Sequence, residues 1–184
     1  MAFRDFDANK DMEAVKRIWQ ECGWVDESEA KWVEDFFGVG TALVATIDGE
    51  AECAVHSTPG TIRYQDESLP LGAVTGVTTS RTARKTGFAR QLTARLLARQ
   101  VDEGCAVSAL GMFDQGFYDK VGYGSGAYEQ WITFDPATLT LDHPFRPPKR
   151  LTPKDYEAIH TCMRARRKPH GGVDLIPPRS CEPS

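Results

Sequence analysis

The sequence predicts an α/β domain in which strands alternate with amphipathic helices. Three observations carry that prediction. An apolar stripe at helical spacing follows a short β-rich start, an Asp48-Gly49 pair sits between two β-rich runs, and a Val/Thr-rich strand passes through a basic turn into a further helix.

Phe3 to Phe6 makes the first strand, and Asp7 to Trp24 places Met12, Val15, Ile18 and Trp19 on one helix face. Glu29 to Phe37 repeats the period with Trp32, Val33, Phe36 and Phe37, then stops at Gly38 and Gly40. Thr41 to Ile47 and Ala51 to Ser57 are the arms of a hairpin around Asp48-Gly49. Pro59-Gly60 predicts a break before a further arm at Thr61 to Gln65. Leu71 to Thr79 is the next strand, and Gly87 to Val101 is a helix burying Phe88, Leu92, Leu96 and Leu97. Cys105 to Leu110 reads as a short buried strand, Gln115 to Val121 as a helical turn and Ala127 to Phe134 as a last strand with alternating bulky residues.

From Asp135 the composition changes. Pro136, Pro144, Pro147 and Pro148 mark 136–148 as a linker, so a first domain over 1–135 is expected to end there. Beyond it, 149–168 holds a strand at Lys149 to Thr152 and a helix at Pro153 to Arg167. One strand and one helix cannot enclose a core. The last stretch, 169–184, rich in glycine and proline, is expected to stay without structure.

The chain has 184 residues, 41% hydrophobic and 26% charged, enough to bury a core without metal or disulfide staples. Its five cysteines are scattered and never spaced C-x-x-C, which predicts reduced thiols in a cytoplasmic protein and no zinc site. The start lacks the basic and apolar regions of a signal peptide, and no window is a membrane span, so no membrane is expected as a partner.

The net charge of -4 is unevenly distributed. No acid falls between Glu67 and Asp102, where Arg81, Arg84, Lys85, Arg90, Arg95 and Arg99 lie, and this suits an anionic ligand. Up to Glu52 acids outnumber bases, which suits a cationic substrate. Solvated helix faces of opposite sign are the alternative reading of both segments.

The sharpest motif is R-x-x-G-x-A at Arg84, Gly87 and Ala89, at the end of the strand and the start of the helix. Unpaired N–H groups and a partial positive charge at a helix start attract phosphates, and small residues let a pyrophosphate approach the backbone. No G-K-[ST] makes it a Walker A loop, and the glycines of a dinucleotide fingerprint are missing. Downstream, Met112-Phe113-Asp114 precedes Phe117-Tyr118-Asp119-Lys120-Val121-Gly122-Tyr123, an F-Y-x-x-x-G-[FY] pattern.

Together these two segments resemble the GCN5-related N-acetyltransferase (GNAT) superfamily over roughly residues 1–135. The resemblance implies a mixed, strongly bent sheet flanked by helices, with acetyl-CoA as cosubstrate and no metal. It puts the backbone of Val77, Thr78 and Thr79 beside the acetyl and pantetheine groups. Arg84, Lys85, Thr86, Gly87, Phe88, Ala89 and Arg90 would surround the phosphates, and Phe113 and Asp114 would flank the pantetheine. Tyr118 matches the general acid.

Leu71-Gly72 before Val74 to Val77, with Gly122-Tyr123-Gly124, is similar to the enhanced intracellular survival (Eis) branch. Members of that branch carry a second acetyltransferase-like domain, whose opening 149–168 resembles, so a fragment or shortened relative is expected. They take their base from the far carboxyl terminus, which Ser184 does not obviously replace.

The activity implied is acetyl transfer to a primary amine: an aminoglycoside-like compound, a lysine or another small amine. The alternative is a catalytically weak acyl-CoA sensor or scaffold. Self-association into a homo-oligomer is allowed for, because surfaces built to meet another domain are depleted in charge. His56 could relay a proton, and Trp24, Trp32, Phe36 and Phe37 could line an acceptor pocket, though both readings compete with plain core packing. His143, His160 and His170 are too dispersed for a metal. Arg164, Arg166, Arg167 and Lys168 lack interleaved aromatics and read as a solvated helix end, not a nucleic-acid site.

Overall fold

The computed structural model of the chain describes residues 1–112, 115–126, 130–140, 142–166 and 168–175. Strands β1 (Ala2–Asp5), β2 (Thr41–Ile47), β3 (Glu50–Tyr64), β4 (Glu67–Thr79) and β5 (Val107–Leu110) lie in that order across one sheet. A short β6 (Val173–Asp174) pairs with β3 off this path. The β4–β5 pair is parallel and the other pairs are antiparallel, so the sheet is mixed. Helices α1 (Ala8–Glu21) and α2 (Ala30–Phe37) cover one face, and α3 (Phe88–Asp102) covers the other.

Strand alternation divides the core into two layers. Val44 and Ala54 point to the α1/α2 side, where Val15, Trp19, Val33 and Phe37 are buried. Leu43, Ala45, Cys53 and Val55 point to the α3 side, against Phe88, Leu92 and Leu96. The apolar spacing in the helices produces these contacts. Asp7 caps α1 by accepting from the Asn9 N–H at 3.0 Å. Gly23, with φ of +72°, follows the helix end and stops it short of the predicted Trp24.

Several sequence expectations need correction. Pro59-Gly60 does not break the chain: β3 runs through it and pairs with β4 as far as Tyr64↔Glu67. Pro59 falls in the gap between the end of β2 pairing at Ser57 and the start of β6 pairing at Thr61, an edge position where a missing N–H costs nothing. The expected strand at Ala127 to Phe134 lies outside the described residues at 127–129, and 130–134 has no strand pairing. Trp131 and Ile132 there are 86% and 82% exposed. Lys149 to Thr152 is not a strand either; a Thr152–Asp155 capping box leads into α4 (Tyr156–Arg164). In the stretch expected to lack structure, Val173 and Asp174 pair with Ile62 and Thr61, and Asp174 binds Lys168 and Arg164. Residues 176–184 lie outside the described residues. No helix among the described residues is long and apolar enough to cross a membrane.

One buried ion pair ties β1 to α1. Asp11 is 1% exposed and accepts both Arg4 guanidinium nitrogens, at 2.6 and 2.7 Å, and the Asp7 N–H at 2.9 Å. Burial pushes its carboxyl up, but the Arg4 bonds, the Asp7 amide and the charge of Arg4 outweigh it and hold the group below its ordinary value. Removing one partner strands the other, so Asp11→Ala should cost about 3 kcal/mol in urea unfolding. A depressed folded pKa gives stability that is present above the unfolded value and lost as pH falls through the folded one. The parent should therefore weaken below about pH 4, and Asp11→Ala should lose less over that range.

Candidate functional site

The site is built where β4 leaves the sheet. Its parallel pairing with β5 covers only Leu71 to Val74, so Thr75 to Thr79 keep β3 on one side and no strand on the other. The register changes at the same point: His56 faces Gly76 but Ser57 faces Val74, which makes Thr75 the extra residue of a bulge. Thr75 and Gly76 consequently share a face. Thr75 Oγ1 reaches His56 Nδ1 at 2.7 Å, and a Cβ on Gly76 would lie 3.5 Å from that of His56.

Past the bulge the side chains are committed to the protein. Val77 packs against the α3 core, Thr78 Oγ1 bonds the Ala54 carbonyl at 3.5 Å, and Thr79 Oγ1 contacts Cys53 Sγ at 3.2 Å. Burial pushes the Cys53 thiol up to about 11, so it is neutral near pH 7. The unpaired edge of this strand is backbone, with Val77 and Thr79 half-buried and Thr78 buried.

The turn from Ser80 to Gly87 follows. Lys85 and Gly87 both have left-handed backbones, with φ of +66° and +84°. Gly87 is the N-cap of α3 and has no side chain to cap with. The first helical bond runs from Gln91 N–H to the Gly87 carbonyl, so the N–H groups of Phe88, Ala89 and Arg90 have no acceptor within the helix. Phe88 itself is 3% exposed and packs edge-on to Phe3; it offers its amide, not its ring. Thr86 Oγ1 closes the turn on the Ala83 carbonyl at 2.7 Å.

The basic run splits into two groups. Arg95 stacks over Phe3, Arg99 pairs with Asp5, and Arg81 is held by Glu21. Arg84, Lys85 and Arg90 are exposed and make no ion pair among the described residues. Acids brace the turn from behind: Glu21 accepts the Arg81 N–H at 2.7 Å and an Arg17 nitrogen at 2.9 Å, while Glu52 accepts Arg17 at 3.2 Å and Thr82 Oγ1 at 3.4 Å. The Arg81 amide and the Arg17 guanidinium outweigh partial burial and hold the Glu21 carboxyl below its ordinary value.

Tyr118 opens a single helical turn (Tyr118–Val121) that Gly122 closes with φ of +96°. It is half-buried, edge-on to Phe117 at 4.9 Å and to Tyr123 at 6.0 Å. Tyr123 Oη meets Ser108 Oγ at 2.7 Å, and Ser108 donates to the Gly72 carbonyl at 3.1 Å, fastening the segment to the paired stretch of β4 and β5. Phe113 and Asp114 lie outside the described residues.

The chain thus passes from a strand with one free edge through a turn with the exposed cations Arg84 and Lys85 to a helix start whose first amides have no acceptor within the helix, where Arg90 is also exposed. The profile of the acetyltransferase (GNAT) domain matches residues 5–126. The chain belongs to this acetyltransferase family. Solved structures agree on the fold. The aminoglycoside N-acetyltransferase AAC(6')-Iy in complex with CoA is similar at a TM-score of 0.58 and 17% identity, covering 72% of this chain and 93% of its own. Eis1 from Mycobacterium abscessus is similar at a TM-score of 0.67 and 19% identity, over 98% of this chain but 47% of its own. A GCN5-related N-acetyltransferase from Kribbella flavida gives 0.57 and 19%, over 64% of this chain and 32% of its own. The GNAT chain thus spans a third to a half of these two longer proteins. No curated protein matches the sequence.

Of the residues singled out in the sequence, the fold brings Val77, Thr78 and Thr79 into line with Arg84 to Arg90 in this GNAT domain. The four aromatics near the amino terminus separate: Trp24 and Trp32 line an open cleft of about 420 Å³ with Ser28, Glu29, Lys31 and Asp35, whereas Phe36 and Phe37 pack inward against Trp19. Among the described residues no three His, Cys, Asp or Glu side chains group as metal ligands. Sequence reasoning missed Glu21, Glu52, Thr75 and Ser108. The spacing of Arg17 and Glu21 on one helix face was the available signal for the first; the others depend on strand register.

Glu21→Ala should cost about 1 kcal/mol, the scale of a partly exposed charge-assisted bond. The Arg81 amide should then exchange its hydrogen markedly faster, as NMR can read residue by residue.

Proposed function

We propose that this GNAT domain transfers the acetyl group of acetyl-CoA to a primary amine on a small cationic acceptor: an aminoglycoside-like compound, a lysine or a comparable amine. The observation that carries the reading is the set of unpaired amides at Phe88, Ala89 and Arg90, opening beside the free edge of β4. Those residues fit a pyrophosphate. Gly87 adds no side chain, and Arg84, Lys85, Thr86 and Arg90 would supply charge and hydrogen bonds around it.

Acetyl-CoA supplies a thioester carbonyl, which a neutral amine can attack. Backbone N–H groups along Val77, Thr78 and Thr79 would favour the negative charge that builds on the carbonyl oxygen. Tyr118 would give its phenolic proton to the departing sulfur as the C–N bond forms and the C–S bond breaks, and the proton lost by the amine passes to solvent. A phenol near pKa 10 and a thiolate of comparable basicity are well matched. Phe113 and Asp114 would flank the pantetheine. The cleft at Trp24 and Trp32, with Glu29 and Asp35, offers aromatic faces and negative charge to a cationic acceptor. The motif at Leu71-Gly72 and the likeness to Eis1 support placing the chain near the Eis branch, with its second domain opening at 149–168, and the scattered cysteines support a reducing, cytoplasmic setting.

The direct test is thiol release from acetyl-CoA in the presence of a panel of amines; no release above the rate without protein, for any amine, would overturn the reading. Gly87→Glu should abolish CoA binding in calorimetry. The nearest atom to a Cβ there is Gln91 Nε2 at 3.7 Å, so the protein has room for it, and the loss comes from charge and bulk in the cradle. Gly87→Ala carries the left-handed strain alone, about 1–2 kcal/mol in stability, and should still bind. Tyr118→Phe should keep CoA affinity and melting temperature while lowering kcat by about 10²- to 10⁴-fold. Parent-like turnover in that variant would remove Tyr118 from the chemistry.

A further inference from the structure

Beneath the bulge of β4 lies a buried polar chain that neither the phosphate cradle nor Tyr118 uses. His56 on β3 is 1% exposed. Its Nε2 is 2.5 Å from the Val39 carbonyl, its Nδ1 is 2.7 Å from Thr75 Oγ1, and Thr75 Oγ1 is 3.3 Å from Thr58 Oγ1. Phe36 and Phe37 both pack against the ring in tilted contacts, with centroids at 4.5 and 5.1 Å.

Elementary bonding rules set the direction of every link. A carbonyl oxygen only accepts, so Nε2 carries the hydrogen. Burial lowers the pKa of the ring and keeps it neutral, which leaves Nδ1 as an acceptor. Thr75 must then donate to Nδ1, and its oxygen is free to accept from Thr58. The chain therefore runs from Thr58 through Thr75 and His56 to Val39 with each polar atom satisfied.

One end of this chain follows the helix that lines the proposed acceptor cleft, and the other is at the free edge of β4. Val39 lies in the turn after α2, the helix whose Trp32 and Asp35 line the acceptor cleft. Thr75 is the bulged residue at which β4 parts from β5. On its outer edge the strand has no neighbour, and at the bulge, where its pairing with β3 is interrupted, the Thr75 hydroxyl ties it to the face carrying α2.

We propose that His56 is a positioning residue: it holds Thr75, and with it the free edge of β4, at a fixed distance from the α2 turn, so that the acyl and amine sites stay aligned. The proposal rests on the reading of the chain as an N-acetyltransferase. A misplacement of about 1 Å between reacting groups can cost about 10²-fold in rate without touching either one.

His56→Phe keeps a planar ring against Phe36 and Phe37 but loses both bonds, and Thr75→Val keeps the volume but loses the hydroxyl. Each should lower kcat by about 10- to 100-fold while calorimetric CoA affinity stays within about twofold, since the phosphate turn does not touch His56. The double variant should be no slower than the slower single, because both break one chain. Thr75→Ser retains the hydroxyl and should restore parent turnover. Parent-like kcat in folded Thr75→Val, multiplicative losses in the double variant, or an equal loss of CoA affinity would each overturn the proposal. Hydrogen exchange supplies a readout that does not need turnover. Thr75→Val should accelerate exchange of the Gly76 to Thr79 amides while leaving those of β2 unchanged, even if the parent acetylates no amine tested. Unchanged exchange at Gly76 to Thr79 would overturn the positioning role, whereas absent thiol release in the parent overturns only the activity. Should His56→Phe fail to fold, the Thr75→Val and Thr75→Ser pair decides the matter alone.

Discussion

The limited pairing of β4 with β5 governs the rest of this acetyltransferase domain. Backbone hydrogen bonds hold the two strands together only from Leu71 to Val74. At the next residue the bulge at Thr75 adds a residue to β4 without adding one to β3. The strand keeps one satisfied edge and presents the other, and its direction into the turn at Ser80 aims the start of α3 along the same surface. A fully zipped β4–β5 pair would leave neither a free edge nor room beside it. Unpaired strand edges are a liability in most proteins; here the edge leads into a helix start whose first amides also lack an acceptor within the helix.

Electrostatics adds a second layer of constraint. A turn rich in Arg and Lys repels itself and needs opposite charge nearby to keep its shape. Glu21 and Glu52 answer this from behind, each shared with Arg17, by holding the Arg81 amide and the Thr82 hydroxyl. The bracing acids bond Arg17, Arg81 and Thr82, and Arg84, Lys85 and Arg90 make no ion pair among the described residues. Arg95 and Arg99 look like members of the same basic stripe in sequence, yet they are used locally, one on an aromatic ring and one on β1. The same economy appears at Tyr123, whose hydroxyl is bonded to Ser108 and whose ring supports Tyr118.

Much of this was legible in the sequence because it is local. The 3.6-residue period of α1, α2 and α3, the Asp48-Gly49 hairpin and the capping chemistry depend on neighbours in the chain, and they fall within a few residues of their predicted places. The R-x-x-G-x-A turn was readable for the same reason: unpaired amides at a helix start follow from backbone geometry whatever the surroundings. What the tertiary structure alone decided involves partners distant in sequence. Pro59 is tolerated inside a strand because β2 and β6 happen to leave a gap beside it. Ala127 to Phe134 reads in sequence as a strand with alternating bulky residues, yet its described part, 130–134, pairs with no strand. The bulge at Thr75 is a mismatch between β3 and β4, and no property of either strand alone encodes it. His56 is an unremarkable strand histidine in sequence; folding places it between Val39 and Thr75, and its role follows from those two contacts because a hydrogen bond needs both of its ends.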